Sequence, residues 1–339
     1  MFKQIPIFFT FDNNYVVPAA VAFYSLLNKT QKNVEYKMYV LHSDITKESQ
    51  ELLLSVVNKF KIASLEFIDT KGFLSKEWNN GNWEGHNTRT QFTADTLLRC
   101  FPARFFPQYD KIIYSDVDCV FVDDISELYD TDLDNKYIGA VKDAFMKWDI
   151  NELSHLRKDH YEKHKDTYFA GGIWVMNLKK IREDNLEEKM IEIIKDDTIV
   201  KRWNDMDIMN IACDNKVEFI PLNYIAYPYM LVRVIQKDFI SDFSRDELYD
   251  SIINPKIIHY AAFKPWKAEV KYGEVWWDIF YYLKLPKTSI FKEKTNEKDT
   301  NKIVKKYRKY KKLFNIFFII SIALLIINLL AIWKLGNLW

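Results

Sequence analysis

The sequence predicts an α/β fold, with a mostly parallel sheet flanked by helices on both faces. Short apolar runs rich in β-branched and aromatic residues alternate with segments of helical periodicity. The 339 residues are 48% hydrophobic and 16% aromatic, which is ample for a substantial core. The chain has only 8 Gly and 9 Pro, so it is not a low-complexity sequence.

The first strand and the first helix follow each other directly. Residues 5–11 form a short apolar run that predicts a buried strand. Residues 16–27 predict a helix, because apolar side chains recur there at helical spacing. These side chains are Val17, Ala20, Val21, Tyr24 and Leu27.

The same alternation continues towards the middle of the chain. The further predicted strands are residues 36–41, 64–67 and 111–115, and the predicted helices between them are residues 47–60 and 93–105. This β–α–β–α–β order implies parallel strands joined by helices that lie on the sheet faces. In such sheets ligands bind beyond the carboxyl ends of the strands.

The strand at 111–115 runs into two carboxylates, in the sequence KIIYSDVDCVFVDDI. Asp116 and Asp118 are two residues apart where the apolar run ends, so an extended chain points both the same way, about 6.6 Å apart at the backbone. Two like charges this close repel, and a divalent cation resolves the conflict. Carboxylate oxygens suit magnesium or manganese better than a soft metal. The alternative is a pair of aspartates in an ordinary turn.

Motifs and charge disfavour several function classes. The chain has neither the GxxxxGK[ST] of a P-loop ATPase nor a GxGxxG after its first strand, as a dinucleotide dehydrogenase would. Residues 287–312 carry 11 Lys/Arg and 3 Asp/Glu, and the whole chain has a net charge of +1, so residues 1–286 are acidic overall. No nucleic-acid partner is expected, because its basic patch would lie on the folded body. The 3 cysteines are scattered and predict reduced thiols.

The C-terminal end predicts a membrane anchor. Residues 316–333 contain no charged side chain, and the longer stretch 313–335 is long enough to cross a bilayer as a helix. The basic residues just before it place that end on the cytoplasmic side and should attract anionic lipids. The alternative is a buried C-terminal helix.

These features predict three parts, a folded domain at 1–286, a basic polar linker at 287–312 and a transmembrane helix at 313–335. The expected location is the cytoplasmic membrane, with a single span and the folded domain on the cytoplasmic side. Ser321 and Asn328 lie on one side of the expected helix, so self-association through it is also expected.

Several segments together resemble glycosyltransferase family 8. The segment YDKIIYSDVDCVFVDDI is similar to the D-x-D segment of this family, whose members are retaining nucleotide-sugar enzymes. Further motifs follow in the family's order over roughly residues 3–286. The resemblance implies a GT-A-type nucleotide-diphospho-sugar transferase fold, with Mn²⁺ or Mg²⁺ as cofactor and a UDP-sugar as donor.

The resemblance also implies which residues contact the nucleotide. The segment FFTFDNNYVVPAAVAFYSLL resembles the family's first strand and nucleotide-binding turn, which implies contacts by Thr10, Phe11, Asp12 and Tyr15. On its chemistry alone, Tyr15 is equally well a core aromatic. Arg99, in TADTLLRCF, matches the family's helix arginine beside the diphosphate and sugar, whereas an isolated helix arginine is usually a surface cation.

Two further segments supply implied donor contacts. By resemblance, Asp116, Val117 and Asp118 contact the donor, and the two aspartates bind the metal. Gly171, in YFAGGIWVMNL, lets the backbone approach the ligand closely, although a simple bulge is the alternative. The chain departs from the family here, because Ala170 stands where an asparagine is expected.

The last two motifs lie towards the end of the domain. WNDMDIMN resembles the family's Asp-Gln-Asp run, so Asp205 matches the carboxylate that holds sugar hydroxyls, while Met206 replaces the glutamine. A helix N-terminal acid is the plain alternative for Asp205. IIHYAAFKPW implies His259 as the third metal ligand and Lys264 as a diphosphate contact. A single histidine in such a context is by itself more often structural.

Together these features imply a metal-dependent retaining hexosyltransferase, with Asp205 and Arg99 as catalytic residues. The donor would be UDP-glucose or UDP-galactose, and the acceptor a glycan or glycolipid such as lipopolysaccharide core, contacted by residues 72–91 and 142–167. The alternatives are a membrane-anchored, non-catalytic nucleotide-sugar-binding protein and a glycoside hydrolase. Metal dependence would distinguish the transferase from a glycoside hydrolase, because most glycosidases need no metal.

Overall fold

The computed structural model describes residues 2–76, 94–149, 162, 164–196, 198–199, 204–230, 234 and 241–287. Contacts divide the chain into a compact unit at Met1–Ile290 and a second unit at Phe291–Trp339. The second unit lies wholly outside the described residues, so all described strands and helices belong to the first unit.

The strands are distributed along the unit from residue 3 to residue 259. The strands of the described chain are β1 (Lys3–Thr10), β2 (Val34–His42), β3 (Ala63–Asp69), β4 (Lys111–Ser115), β5 (Cys119–Phe121), β6 (Ile138–Lys142), β7 (Phe169–Asn177), β8 (Val217–Ile220) and β9 (Ile257–His259). Within the described residues, seven of them form one sheet in the order β3-β2-β1-β4-β7-β6-β8, and β5 pairs with β9 in a small second sheet.

The main sheet is mostly parallel. Strands β3, β2, β1 and β4 run parallel, as do β6 and β8, whereas β7 is antiparallel to both of its neighbours. The parallel α/β sheet that the sequence predicts is therefore confirmed, and β7 is the antiparallel exception that the strand–helix alternation did not reveal.

Helices follow most of the strands. The α-helices of the described chain are α1 (Val16–Lys29), α2 (Lys47–Val57), α3 (Pro102–Phe105), α4 (Met146–Asp149), α5 (Leu178–Glu183), α6 (Leu186–Lys195), α7 (Asn204–Cys213), α8 (Arg245–Ile253) and α9 (Gly273–Tyr282). In α1 four of the five side chains predicted to face inward do so, since Val17, Ala20, Val21 and Leu27 are at most 2% exposed, whereas Tyr24 is only partly buried. Burying each valine or leucine side chain stabilises the fold by roughly 1.5–3 kcal/mol.

The helix predicted at 93–105 is interrupted. The chain forms the 3₁₀ helix Ala94–Cys100 and then the short helix α3, which begins at Pro102. Proline has no backbone N–H and its ring clashes with a preceding helical turn, so it is tolerated at the start of a helix and not inside one. The break leaves Arg99 in the last turn of the 3₁₀ helix.

Three fully buried rings support the central strands near the site. Phe8 of β1, Tyr114 of β4 and Trp174 of β7 pack in sequence, with ring centroids 5.1 Å and 5.2 Å apart. Such tilted aromatic pairs add about 0.5–1.5 kcal/mol beyond the area they bury. The Tyr114 hydroxyl donates a hydrogen bond to the carboxylate of Asp116, so this core reaches into the site.

The expectation of a C-terminal transmembrane helix, and with it of a single-span protein of the cytoplasmic membrane, is corrected by the structure. No helix among the described residues is both long enough and apolar enough to span a membrane. The longest of them, α1, has 14 residues and packs its apolar side chains into the protein core. Residues 288–312 of the basic linker and the stretch 313–335, on which the expectation rested, lie outside the described residues.

Candidate active site

A cavity of about 260 Å³ lies beyond the carboxyl ends of β1 and β4. All of the site residues expected from the sequence border it. They are Thr10, Phe11, Asp12, Tyr15, Arg99, Asp116, Val117, Asp118, Gly171, Asp205, His259 and Lys264. The fold thus brings into one pocket side chains from the first strand, the D-x-D turn, β7, α7 and β9.

The small second sheet positions an imidazole beside the aspartate pair. Cys119 of β5 is paired with His259 of β9, and the Tyr260 N–H donates to the backbone carbonyl of Asp118 at 2.9 Å. As a result His259 Nε2 lies 3.1 Å from Asp118 Oδ1 and 3.3 Å from Asp116 Oδ2. The fold therefore brings the His259 imidazole next to two carboxylates that are up to 143 positions away in the sequence.

This arrangement fits a divalent cation. One imidazole nitrogen faces two carboxylate oxygens, although it can carry only one hydrogen. Burial by itself lowers the pKa of His259, but the charges of Asp118 and Asp116 raise it to about 9. Two carboxylates and one imidazole form a hard set of ligands, which suits manganese or magnesium.

Cys119 offers a different third ligand. Among the described residues, ligand atoms of Asp118, Cys119 and His259 lie within 4.8 Å of one another and are buried. Cys119 is not among the residues that line the cavity, whereas Asp116, Asp118 and His259 are, so Asp116 is the better third ligand.

Two buried cations lie on the other oxygens of the aspartates. Lys264 Nζ forms an ion pair with Asp118 Oδ2 and donates to the carbonyls of Tyr260 and Ala261, each at 2.8 Å. Burial alone would raise the pKa of Asp118, but Lys264 and His259 hold it well below its usual range. The charge of Arg99 likewise lowers the pKa of Asp116 against the effect of burial, so both carboxylates of the pair are ionised and able to bind a cation.

Arg99 connects the first aspartate to a third carboxylate. Its Nη1 lies 2.8 Å from Asp116 Oδ1 and 3.3 Å from Asp205 Oδ2, and its guanidinium lies over the Tyr114 ring at 4.8 Å. Burial raises the pKa of Asp205 to about 6, and the charge of Arg99 offsets only part of that rise.

Two acids of the same helix have different surroundings. Asp205 borders the cavity, whereas Asp207 is fully buried and accepts a hydrogen bond from the Tyr168 hydroxyl at 2.8 Å. Asp207 is not among the residues that line the cavity. The geometry therefore gives the first acid access to a ligand and the second a packing role.

The turn after β1 also lines the cavity. The Asp12 carboxylate accepts from the N–H of Asn14 at 2.9 Å and caps the 3₁₀ helix Asn13–Tyr15. Tyr15 makes an edge contact with Trp266 at 6.1 Å between ring centroids, and burial raises its pKa to about 12. Thr10 Oγ1 is buried without a hydrogen-bond partner among the described residues, so it is available to a ligand.

Two consecutive glycines of β7 allow close packing at the site. A β-carbon on Gly171 would lie 3.2 Å from Met206 Cγ, and one on Gly172 would lie 2.6 Å from two atoms of the His259 ring. Gly172 also has a φ of +107°, which strongly favours glycine. Its carbonyl accepts the N–H of Asp116 at 2.8 Å, so it fixes both partners of the candidate metal site.

Sequence reasoning missed several residues that line the cavity. They are Asp95, Thr96, Tyr227 and Ala261. Asp95 and Thr96 stand one helical turn before Arg99, so their spacing was an available signal. Tyr227 carries no motif, and it reaches the site because Ala226 forms a bridge with Ile258 of β9. Of the expected acceptor segments 72–91 and 142–167, residues 77–91, 150–161 and 163 lie outside the described residues.

Comparison with known proteins identifies the family. The sequence profile described as "Glycosyl transferase family 8" matches residues 6–269. The chain belongs to glycosyl transferase family 8. The resemblance read from the sequence motifs is thereby confirmed, and the cavity lies in the part of the chain that the family profile covers. Enzymes of this family with the GT-A fold typically use a divalent metal, in agreement with the ligand set found here.

Relatives of this family 8 chain cover most of the described unit. A Haemophilus influenzae protein described as a glycosyltransferase is 26% identical over 218 residues, 64% of this chain and 62% of that protein. The lipopolysaccharide 1,2-glucosyltransferase of Escherichia coli is 25% identical over 310 residues, 89% of this chain and 85% of its own length. The chain thus spans less than two thirds of the first of these relatives.

The family 8 fold is also seen in solved structures. Galactosyltransferase LgtC, in complex with donor and acceptor sugar analogues, has a TM-score of 0.67 and 20% sequence identity. The match covers 84% of this chain and 98% of the LgtC chain. The GT-A-like α/β architecture expected from the motifs is supported by this likeness.

Proposed function

We propose that this chain is a metal-dependent retaining hexosyltransferase that moves the hexose of UDP-glucose or UDP-galactose to a glycan or glycolipid acceptor such as lipopolysaccharide core. The observation that carries the proposal is the convergence of Asp116, Asp118 and His259 in the cavity, with Arg99 and Lys264 on the same carboxylates. The Escherichia coli relative, a lipopolysaccharide glucosyltransferase, supports the choice of glucose and of a lipopolysaccharide acceptor, and the galactosyltransferase LgtC supports galactose as the second hexose.

The charges of the site suit a departing diphosphate. A divalent cation held by Asp116, Asp118 and His259 would supply a Lewis acid that neutralises phosphate charge. Arg99 and Lys264 line the same cavity, so a diphosphate bound there meets two buried cations. Preorganised charges of this kind stabilise the negative charge that develops on the leaving group.

Asp205 is the residue to which we assign orientation of the sugar. Its carboxylate borders the cavity and is held by Arg99 Nη1 at 3.3 Å, so it can accept hydrogen bonds from sugar hydroxyls. Holding the sugar in a reactive position contributes to catalysis by lowering the entropy cost of reaction.

We favour substitution on the same face of the sugar. The bond from the anomeric carbon to the diphosphate oxygen breaks, the bond to the acceptor hydroxyl oxygen forms, and the hydroxyl proton moves to a diphosphate oxygen. A double displacement would need a free nucleophile beside the sugar, whereas Asp205 is paired with Arg99 and Met206 carries a thioether. Isolation of a sugar covalently bound to the protein during turnover would contradict this mechanism.

The test is a panel of UDP-sugars with the full chain, manganese and a glycan acceptor, in which released UDP is measured before and after a chelator. Asp116→Asn and His259→Ala should lower the metal-dependent rate at least about a hundredfold, as expected when groups that stabilise the transition state are lost. The matched control is Asp110→Asn, which alters an exposed aspartate just before β4, at the opposite end of that strand. If the two site variants keep the metal-dependent rate, the metal assignment is wrong.

A further inference from the structure

Met206 packs directly against the backbone of Gly171. A β-carbon on Gly171 would lie 3.2 Å from Met206 Cγ and 3.3 Å from its Sδ, which is closer than side chains normally approach. Among the described glycines only Gly72 and Gly172 have a positive φ, so the backbone at Gly171 would tolerate any residue. The space taken by the thioether, and not the backbone conformation, is what crowds a larger residue at this position.

Asn210 fixes the distance between the two residues. Its side-chain Oδ1 accepts the N–H of Phe169 at 2.8 Å, and its Nδ2 donates to the carbonyls of Phe169 at 3.0 Å and Met206 at 2.9 Å. These bonds join the start of β7 to the first turns of α7. The two backbone segments that meet at the Gly171–Met206 contact are therefore held in a fixed relation to each other.

Gly171 and Met206 form a wall in the part of the cavity beside Asp205. Gly171, Asp205, Met206 and Tyr227 all border the cavity. Arg99 pairs with both Asp205 and Asp116, so this region adjoins the diphosphate subsite of the proposed function, and the turn after β1, which carries Tyr15, lines the same cavity. With the nucleoside at that turn, the hexose is left to face Asp205, Met206 and Gly171.

We propose that the Gly171–Met206 wall makes the donor site permissive at the one hexose substituent that faces it. A thioether donates no hydrogen bond and accepts only weakly, and glycine has no side chain, so neither can recognise a hydroxyl there. Apolar walls discriminate against a changed hydroxyl by about a hundredfold at most, whereas a site built to bond that hydroxyl rejects its absence by about 10⁴–10⁵. The inference rests on the proposed function, and it makes Met206 a residue that determines the donor specificity of the hexosyltransferase.

The experiment compares donor preferences in wild type, Met206→Gln and the apolar control Met206→Leu. The kcat/KM for UDP release is measured with UDP-glucose, UDP-galactose and their monodeoxy analogues, in the presence of manganese. In wild type, at least one pair that differs at a single hydroxyl should agree within about tenfold, and Met206→Gln should widen that ratio to about a hundredfold or more. Met206→Leu should leave the ratio within about threefold of wild type. A ratio of rates does not depend on how much protein is folded.

The inference is overturned if Met206→Gln leaves every ratio unchanged, if Met206→Leu shifts the ratios equally, or if wild type already rejects every analogue. A second comparison tests the contact itself. Gly171→Ala should lower kcat/KM by about tenfold, and adding Met206→Ala should relieve that loss, because residues in contact are not additive. Additive effects would also contradict the inference.

Failure of the proposed function gives a different result. If UDP binds with manganese but no UDP-sugar is turned over, the hexosyltransferase assignment fails. The donor ratios are then measured as competition of each UDP-sugar against UDP in calorimetry, with the same three proteins. If wild type binds the two members of every pair of UDP-sugars that differ at one hydroxyl with strongly different affinities, the inference is overturned by this measurement as well.

Discussion

The His259 ring packs so closely on Gly172 that a β-carbon there would lie 2.6 Å from both ring atoms Cε1 and Nδ1. The same glycine has a φ of +107°, and its carbonyl accepts the N–H of Asp116 at 2.8 Å. A residue without ligand chemistry therefore sets the position of two candidate metal ligands.

Gly172→Ala should disrupt this arrangement. The β-carbon must displace the imidazole, and the left-handed backbone adds a cost of about 1 kcal/mol for a residue other than glycine. Affinity for manganese in the presence of UDP should fall by at least about tenfold, because the ring leaves its position between the two aspartates. Isothermal titration calorimetry measures the affinity.

The matched control for this change is Gly72→Ala. Gly72 also has a positive φ, +86°, but a β-carbon there would meet no atom within 4 Å. It carries the backbone cost without the clash, so metal affinity should stay at the wild-type value. Equal losses in both variants would show that backbone strain alone explains the effect.

Two neighbouring acids of α7 should respond differently to substitution. Asp205→Asn should lower kcat/KM by about a hundredfold with little change in stability, because it removes a charge that borders the cavity. Asp207→Asn should lower the free energy of unfolding by about 1–3 kcal/mol, because the carboxylate is buried and bonded to Tyr168. Activity per folded molecule should stay near wild type. Denaturant unfolding and steady-state kinetics separate the two effects, and the reverse pattern would contradict the assignment.

Manganese and UDP added together should stabilise the protein against heat. At a ligand concentration of about 100 times Kd, binding to the folded state adds about 2.7 kcal/mol, which raises Tm by several degrees. Differential scanning calorimetry measures the shift. Asp118→Asn should abolish the combined effect, whereas Asp110→Asn should retain it. An equal shift in all three proteins would argue against Asp118 as a ligand.

Glu187 should make stability depend on pH. Its carboxylate accepts the N–H of Ala103 at 2.7 Å and Arg104 Nε at 3.1 Å, and burial raises its pKa from 4.5 to about 7. A folded pKa above the unfolded value gives stability that is complete below about pH 4.5 and is lost as pH rises through about 7. Relative to Glu187→Gln, wild type should therefore lose on the order of 3 kcal/mol between about pH 4 and pH 8.

Urea unfolding at several pH values measures this difference. The control is Glu188→Gln, which removes an exposed partner of the same Arg104. A constant gap between wild type and Glu187→Gln over this pH range would contradict the pKa assignment.

The sequence located the first strands and helices because they obey simple periodicities. Apolar runs of strand length and apolar residues at helical spacing mark β1, α1, β2, α2, β3 and β4 to within a few residues of their observed bounds. The helix expected at 93–105 failed at Pro102, where a local rule on proline overrides the apolar pattern. Periodicity also carries no information on strand direction, so the antiparallel β7 was not foreseen.

The sequence indicated those candidate site residues whose charge or motif stands out, and it did not indicate those that reach the site only through tertiary packing. Asp116 and Asp118 were noticed because two charges interrupt an apolar run, but no spacing rule brings His259 to them, and only the family resemblance suggested it. Gly172 and Tyr227 owe their importance to contacts across the fold, which sequence does not display. The membrane anchor was inferred from apolar length alone, and the described helices do not bear it out.

The pairing of β5 with β9 has a consequence for biosynthesis. During translation the acidic pair leaves the ribosome well before the imidazole that neutralises it, since Cys119 and His259 are joined only once the later strand is made. Until then Asp118 lacks both of its partners, His259 and Lys264, whereas Asp116 already has Arg99 from an earlier part of the chain. Completion of the pocket is therefore a late event in the life of the polypeptide, and chains cut short before β9 should remain loosely folded around the aspartates.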